Sequence, residues 1–226
     1  MQPALRSQNS QQAGRRGQLA WKGLAEHVLA DAGVEEVDGL VYVPYRGEHG
    51  RIMFCKVFGH ARSWYSPGGI DLVPYGVDRL PVSRWIAARS ALLICEGESD
   101  TLAARECFVE GNSKVLAWYA VGLPGSGTWR RSWRQWLAPF PRIYLCGDGD
   151  DPGRRLNELV WKDVPWARPV WLPDGEDIRS ILQRDGRNGL LPHLAAADAD
   201  ARLTAALALA PDLATFERLL REDEQQ

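Results

Sequence analysis

The sequence predicts an α/β protein in which a small parallel sheet flanked by helices follows a small α+β lobe and precedes a helical tail. Three observations predict it. From about Ser90 short apolar runs alternate with helical patterns, which implies right-handed β-α-β crossovers and parallel strands. Before that point two strand-like runs, LVYVPY and RIMFCKVF, flank the turn segment RGEHG and read as a β-hairpin. After about Leu190, Ala and Leu recur at helical spacing toward an acidic end.

Taken in order, residues 1–20 are rich in Gln, Ser, Gly and Arg without apolar periodicity and are expected to form a flexible tail. The lobe spans 21–89: a short helical pattern on Trp21, Leu24, Val28 and Leu29, then the hairpin, then a Gly- and Pro-marked stretch to about Leu80. The alternating region spans 90–186. ALLIC leads to a helix from about Ser99, KVLAWYAV to TWRRSWRQWL, RIYLC to DPGRRLNELVW, and RPVWL to a helix near EDIRSIL. Residues 187–226 form the helical tail. There is no internal repeat.

With 226 residues, 45% of them hydrophobic, the chain can bury a substantial core. No apolar run approaches the roughly 20 residues that span a bilayer, and the amino-terminal residues carry no apolar signal core, so the expectation is a cytoplasmic protein without membrane contact. Cys55, Cys95, Cys107 and Cys146 are scattered, without a C-x-x-C pair, and are expected to be free thiols rather than zinc ligands. A formal net charge of −2 provides no global basic field, so any nucleic-acid partner must be recognised by local clusters.

The carboxylates provide the chemical signal. Ligands of a parallel sheet gather where strands end and loops begin. ALLIC runs into Glu96-Gly97-Glu98-Ser99-Asp100, RIYLC runs through Gly147 into Asp148-Gly149-Asp150-Asp151, and RPVWL leads to Pro173-Asp174-Gly175-Glu176-Asp177. Acidic groups delivered to one edge repel and raise one another's pKa unless a cation neutralises them, and a hard divalent ion with oxygen ligands suits such a cluster. Mg²⁺ is the natural occupant and Mn²⁺ a substitute. Each segment by itself also reads as a turn or helix cap; the coincidence of three favours the metal site. Gly97, Gly149 and Gly175 would let the backbone bend close to a metal or phosphate.

These residues carry a family resemblance. CEGESD resembles the first Toprim signature, CGDGDDPGR the second with its primase-style extension, and LPDGEDIRSIL the third primase segment; VGLPGSGTW occupies the position of a glycine-rich loop. The four matches cover residues 92–182 in the right order. Upstream, VYVPYRGEHGRIMFCKVF, ARSWYSPGG and LVPYGVDRL are similar to the segment preceding Toprim in bacterial DnaG-type and phage primases. The family often has Asp-x-Asp in the third segment, whereas here Asp177 is followed two residues on by Arg179, and its amino-terminal zinc-binding module has no counterpart here.

The resemblance implies a Toprim-type sheet over 90–186 and a DNA primase catalytic core, a nucleotidyltransferase making short primers from nucleoside triphosphates on single-stranded DNA. A replicative helicase or a separate zinc-binding module would be further partners. Glu96, Asp148 and Asp150 would be catalytic metal ligands, with Asp100 and Asp177 orienting them or completing a second ion. Lys56 and Arg62 would hold phosphates, although either also reads as a surface cation. Arg154, beside the start of a helix, would meet phosphate oxygens or be a solvated helix residue. In TWRRSWRQW, Arg130, Arg131 and Arg134 could meet nucleic acid while Trp129, Trp133 or Trp136 stacks on a base; the tryptophan spacing is also that of a helix burying one face, which is the stronger reading for the tryptophans. A Toprim metal-dependent nuclease, or a non-catalytic nucleic-acid-binding accessory to a helicase, are the alternatives.

Overall fold

A computed structural model describes residues 21–109, 117–125 and 127–209. The expected tail at 1–20, the first residues of the KVLAWYAV strand, Ser126 of the glycine-rich loop and the end of the helical tail lie outside the described residues.

Two four-stranded sheets organise the chain. After helix α1 (Glu26–Ala32), strands β1 (Glu35–Val37), β2 (Leu40–Arg46), β3 (Ile52–Phe58) and β4 (Ser63–Ser66) form an antiparallel meander in sequence order. The expected hairpin is β2–β3, with a register shift at Tyr45/Arg46. Pro44 is tolerated in β2 because β1 pairs only with Leu40, Val41 and Tyr42, so a strand without that N–H loses no bond on the β1 side. A 3₁₀ turn (Val77–Arg79) and helix α2 (Arg84–Ala87) then lead into the second sheet.

That sheet is wholly parallel, in the order β6-β5-β7-β8: β5 (Ser90–Cys95), β6 (Ala117–Gly122), β7 (Arg142–Cys146) and β8 (Arg168–Pro169). The connections carry α3 (Glu98–Ala104) with a π turn (Arg105–Val109), a 3₁₀ turn (Arg131–Trp133) with α4 (Arg134–Leu137), and α5 (Asp151–Asp163). Helix α6 (Ile178–Leu209) follows β8 and is broken at Gly186, which has φ 61° and ψ −158°. The alternating-region pattern is therefore a mixed α/β fold with a helix-flanked parallel sheet.

Two expected elements are shorter than their apolar patterns suggest. RPVWL pairs only at Arg168 and Pro169: Val170 still donates to Leu145 O at 2.8 Å, but the Asn157 side chain then takes the groups of the next rung, accepting from Gly147 N–H at 2.9 Å and donating to Val170 O at 3.1 Å, and Trp171 is exposed. TWRRSWRQWL supplies one 3₁₀ turn and one short helix, stopped by Pro139 and Pro141.

Period-two alternation builds the core on both faces of the parallel sheet. Ala91, Leu93 and Cys95 of β5 join Tyr144 and Cys146 of β7, Leu102 and Phe108, Ile178, Ile181 and Leu190 of α6, and Val43, Tyr45 and Phe54 of the antiparallel sheet. Leu92, Ile94, Ile143 and Leu145 face the other way, against Trp133, Leu137, Leu156 and Val160. The first cluster thus spans both sheets.

A buried polar joint reinforces that seam. In β3 the pattern Phe54-x-Lys56-x-Phe58 puts Lys56 on the inward face, and its Nζ lies 2.9 Å from Glu98 Oε1 and donates to Pro124 O at 2.9 Å. Tyr45 OH also donates to Glu98, and Tyr65 OH to Pro124 O at 2.6 Å. Burial pushes the Tyr45 hydroxyl well up, with the Glu98 charge adding to it, so the phenol remains a donor. Removing one partner of such a pair strands the other charge. Lys56→Met should lower stability by about 3–5 kcal/mol in urea unfolding, and Lys56→Met/Glu98→Gln should recover part of that loss. Equal loss in single and double variants would refute the coupling.

Candidate active site at the carboxyl edge of the parallel sheet

The ladder levels the strand ends. Cys95 pairs with Gly122 on one side and Cys146 on the other. Glu96 and Gly147-Asp148 therefore leave adjacent strands at the same height, with the turn at Leu123-Pro124 beside them.

Backbone bonds then draw the acidic segments together. Glu96 Oε2 accepts from Asp148 N–H at 3.1 Å. Gly149 N–H donates to Glu176 O at 2.7 Å, and Gly175 N–H to Gly149 O at 2.9 Å. The glycines serve this backbone packing: a Cβ on Gly149 would stand 1.9 Å from Pro173 O, and one on Gly153 2.2 Å from Asp148 O. The expectation that Gly149 admits a metal or phosphate is corrected accordingly, because the approach is chain against chain. Gly175 has φ +77°, the left-handed conformation that its turn requires.

The electrostatics follow from this crowding. Burial raises the Asp148 carboxyl to about 8, with Asp100, Glu96, Asp177 and Asp150 adding to the rise in that order. Burial, then the charge of Asp177, raises Asp100 to about 6, and Asp100 Oδ1 is buried without a hydrogen-bond partner. Glu96 is raised by burial and by Asp150, against the stabilising Asp148 N–H. Five carboxylates from three loops thus sense one another.

They do not form one converged ligand set. Among the described residues, no three of the His, Cys, Asp and Glu side chains stand in an arrangement that encloses an ion. Glu96, Asp150 and Asp177 instead turn part of their charge to nearby donors. Asp150 Oδ1 caps α5 through Gly153 N–H at 2.8 Å, while Asp177 receives Ser180 N–H and the Arg179 guanidinium, the latter at 2.8 Å. Glu96, Asp100, Asp148 and Asp150 are the oxygen donors that could hold a hard cation; Asp177 is the most committed elsewhere.

The expected cations separate. Lys56 is placed on the inward face of β3, held by Glu98 and Pro124 O rather than standing as a surface cation. Arg62 is exposed at the β3–β4 turn, where its carbonyl accepts Gly59 N–H. Arg154 bridges Asp151 at 3.2 Å and Asp174 at 3.0 Å, tying the second acidic segment to the third. Arg130 pairs with Asp71 at 3.1 Å, and Arg134 lies against Trp166. Trp133 is buried, Trp129 donates to Asp163 at 2.9 Å, and Trp136 donates to Glu48, so the tryptophans of this segment pack rather than face solvent as a stacking row. Glu98 and Tyr45 went unrecognised in sequence; the inward lysine between two phenylalanines was the available sign that a buried anion must face it.

No protein-family model matches the chain. Gene 57 protein of Mycobacterium phage D29 is 30% identical over 103 residues, 46% of this chain and 62% of that protein, so the match spans less than two thirds of its relative's length. Among solved structures, the primase fragment of the bacteriophage T7 primase-helicase protein aligns with a TM-score of 0.63 at 19% identity, over 80% of this chain and 74% of that one. A DnaG primase catalytic domain bound to ssDNA aligns at 0.55 and 20%, over 88% and 76%. The RNA polymerase domain of Mycobacterium tuberculosis primase DnaG aligns at 0.52 and 18%, over 88% and 72%. The chain has the fold of a primase catalytic core. Among its described residues no helix is long and apolar enough to cross a membrane.

Two measurements test the edge. A carboxyl raised to about 8 holds its proton more tightly in the folded state than in the unfolded chain, where the ordinary value is about 4. Stability without divalent cations should therefore fall as pH rises between those values, and Asp148→Asn should flatten the fall in Tm. Mg²⁺ should raise Tm more at pH ~8 than at pH ~5, because it favours the ionised carboxylates. An unchanged slope in Asp148→Asn would assign the effect to another group. Gly149→Ala should cost about 1–3 kcal/mol or more, read from its urea midpoint, since the clashing atom is backbone.

Proposed function

We propose that this chain is the catalytic core of a DNA primase of the Toprim type, using Mg²⁺, or Mn²⁺ in its place, to synthesise short primers from nucleoside triphosphates on single-stranded DNA. One observation carries the reading: in a primase-core fold, the Glu96 and Asp148-x-Asp150 segments leave neighbouring parallel strands at one height and their carboxylates are electrostatically coupled. The oxygen-only donor set and the unpartnered Asp100 Oδ1 fit a hard divalent cation. The third segment, bonded through Gly149 and Gly175, extends the same edge. The division at about 90 and about 186 into lobe, Toprim unit and tail belongs to this proposal.

When bound, Mg²⁺ supplies charge neutralisation at the α-phosphate and a lower pKa for the attacking 3′-hydroxyl. The protein's part is positional. Asp148 and Asp150 leave β7 on a turn braced by Gly153, and Glu96 is oriented by Asp148 N–H. The raised pKa of Glu96 suits it to take up a proton from the hydroxyl. Asp100, held in the first turn of α3, and Asp177, held by Arg179 and Ser180, orient or supplement the ligands. Arg154 keeps the second and third segments together, and Arg62 remains an accessible cation for phosphate. A replicative helicase or a separate zinc-binding module would supply unwinding and template selection.

The test is primer synthesis on single-stranded DNA with labelled nucleoside triphosphates. Products should require Mg²⁺, disappear with EDTA, and fall by a factor on the order of 10² or more in Asp148→Ala. Synthesis that persists in either condition would falsify the assigned site. Cleavage of the DNA without added triphosphates would replace this reading with the nuclease.

A further inference from the structure

On the opposite edge of the parallel sheet lies a cleft that the proposed chemistry does not use. Helix α5 begins at the carboxyl end of β7 and carries the chain about 20 Å away before Asp163 and the turn into β8. There Arg131, Ser132, Arg134, Gln135, Ala138 and Trp166 line a shallow cleft of about 600 Å³.

The Trp166 indole is 38% exposed, and the Arg134 guanidinium stands 5.7 Å from its ring centre. Arg131 is 77% exposed and meets Asp163 only at 3.6 Å. Two cations therefore flank a flat aromatic face, with Ser132 and Gln135 exposed beside them as hydrogen-bonding groups. The other tryptophans of the segment are unavailable, since Trp133 is buried while Trp129 and Trp136 pack on the core and donate to carboxylates.

We propose that this cleft is a second contact for single-stranded DNA, remote from the carboxylate edge, in which a base stacks on Trp166 and Arg131 and Arg134 meet flanking phosphates. The inference rests on the reading of the chain as a protein that works on single-stranded DNA. An acidic peptide would use the arginines but has no need of the indole, and the pairing of aromatic face with cations is the combination that recognises a single strand. The surface also changes which aromatic does the stacking: the cations come from the arginine-rich segment, the indole from the turn between α5 and β8.

Binding of a labelled oligothymidylate, read by fluorescence anisotropy at several salt concentrations, tests the proposal. Trp166→Ala should weaken binding roughly 5- to 100-fold, and Trp166→Phe should retain most of the affinity. Arg131→Gln/Arg134→Gln should reduce the slope of log affinity against log salt by about 1.4, the value for two phosphates on a single strand. Trp171→Ala, an exposed tryptophan outside the cleft, should leave binding unchanged. Wild-type affinity in Trp166→Ala with an unchanged slope in the arginine variant would overturn the site. If the variants bind weakly while the unsubstituted protein makes no primers, the cleft stands and the primase reading fails; if primers are made and the variants bind as the unsubstituted protein does, the cleft fails and the primase reading stands.

Discussion

Cys95 lies opposite Gly122 on one side and Cys146 on the other, and this register levels the strand ends from which the candidate site grows. A slip of one residue would turn Ala91, Leu93 and Cys95 away from the core they share with the antiparallel sheet. Hydrophobic burial on both faces therefore sets the height at which Glu96 and Asp148 emerge. Packing and site geometry are one constraint here, since the alternation that fills the core also delivers the carboxylates to a common edge.

Two glutamates only two residues apart then meet different fates. Glu98, at the start of α3, turns toward the antiparallel sheet, where Lys56 and Tyr45 satisfy it in a buried joint. Glu96 stays at the edge, oriented by one backbone N–H and close to other negative charges. One carboxylate is neutralised inside the protein by a fixed cation. The other keeps capacity for an external one, and that contrast separates a structural ion pair from a candidate ligand more sharply than residue type does.

Much of this was legible in the sequence. The strand-helix alternation, the hairpin and the three acidic segments all correspond to elements of the structure because each rests on local periodicity or turn chemistry. What escaped depended on partners distant in sequence. Lys56 reads as a surface cation until Glu98, 42 residues away, is seen to bury it. Gly149 reads as a ligand-approach glycine until Pro173 is found against it. The β8 pattern was overestimated because an apolar run does not show that Asn157 of α5 takes the backbone groups through which the ladder would continue. The tryptophan spacing in TWRRSWRQW allowed either packing or stacking, and only the tertiary context, in which β7, α5 and Glu48 cover that segment, decides for packing.

The edge also shows how a protein can hold repelling groups together. Gly149 donates to Glu176 O and accepts from Gly175 N–H across the second and third acidic segments, Arg154 bridges Asp151 and Asp174, and the absence of side chains at Gly147, Gly149 and Gly153 lets main chain pack on main chain. These contacts do not depend on the ionisation of Asp148 or Asp100. The scaffold therefore keeps the carboxylates near one another whatever their charge, and burial, with their mutual repulsion adding to it, appears as raised pKa values instead of separation of the loops. A cation that enters such an edge meets groups already gathered by the fold. The free energy its binding would gain includes relief of the repulsion that folding had to overcome.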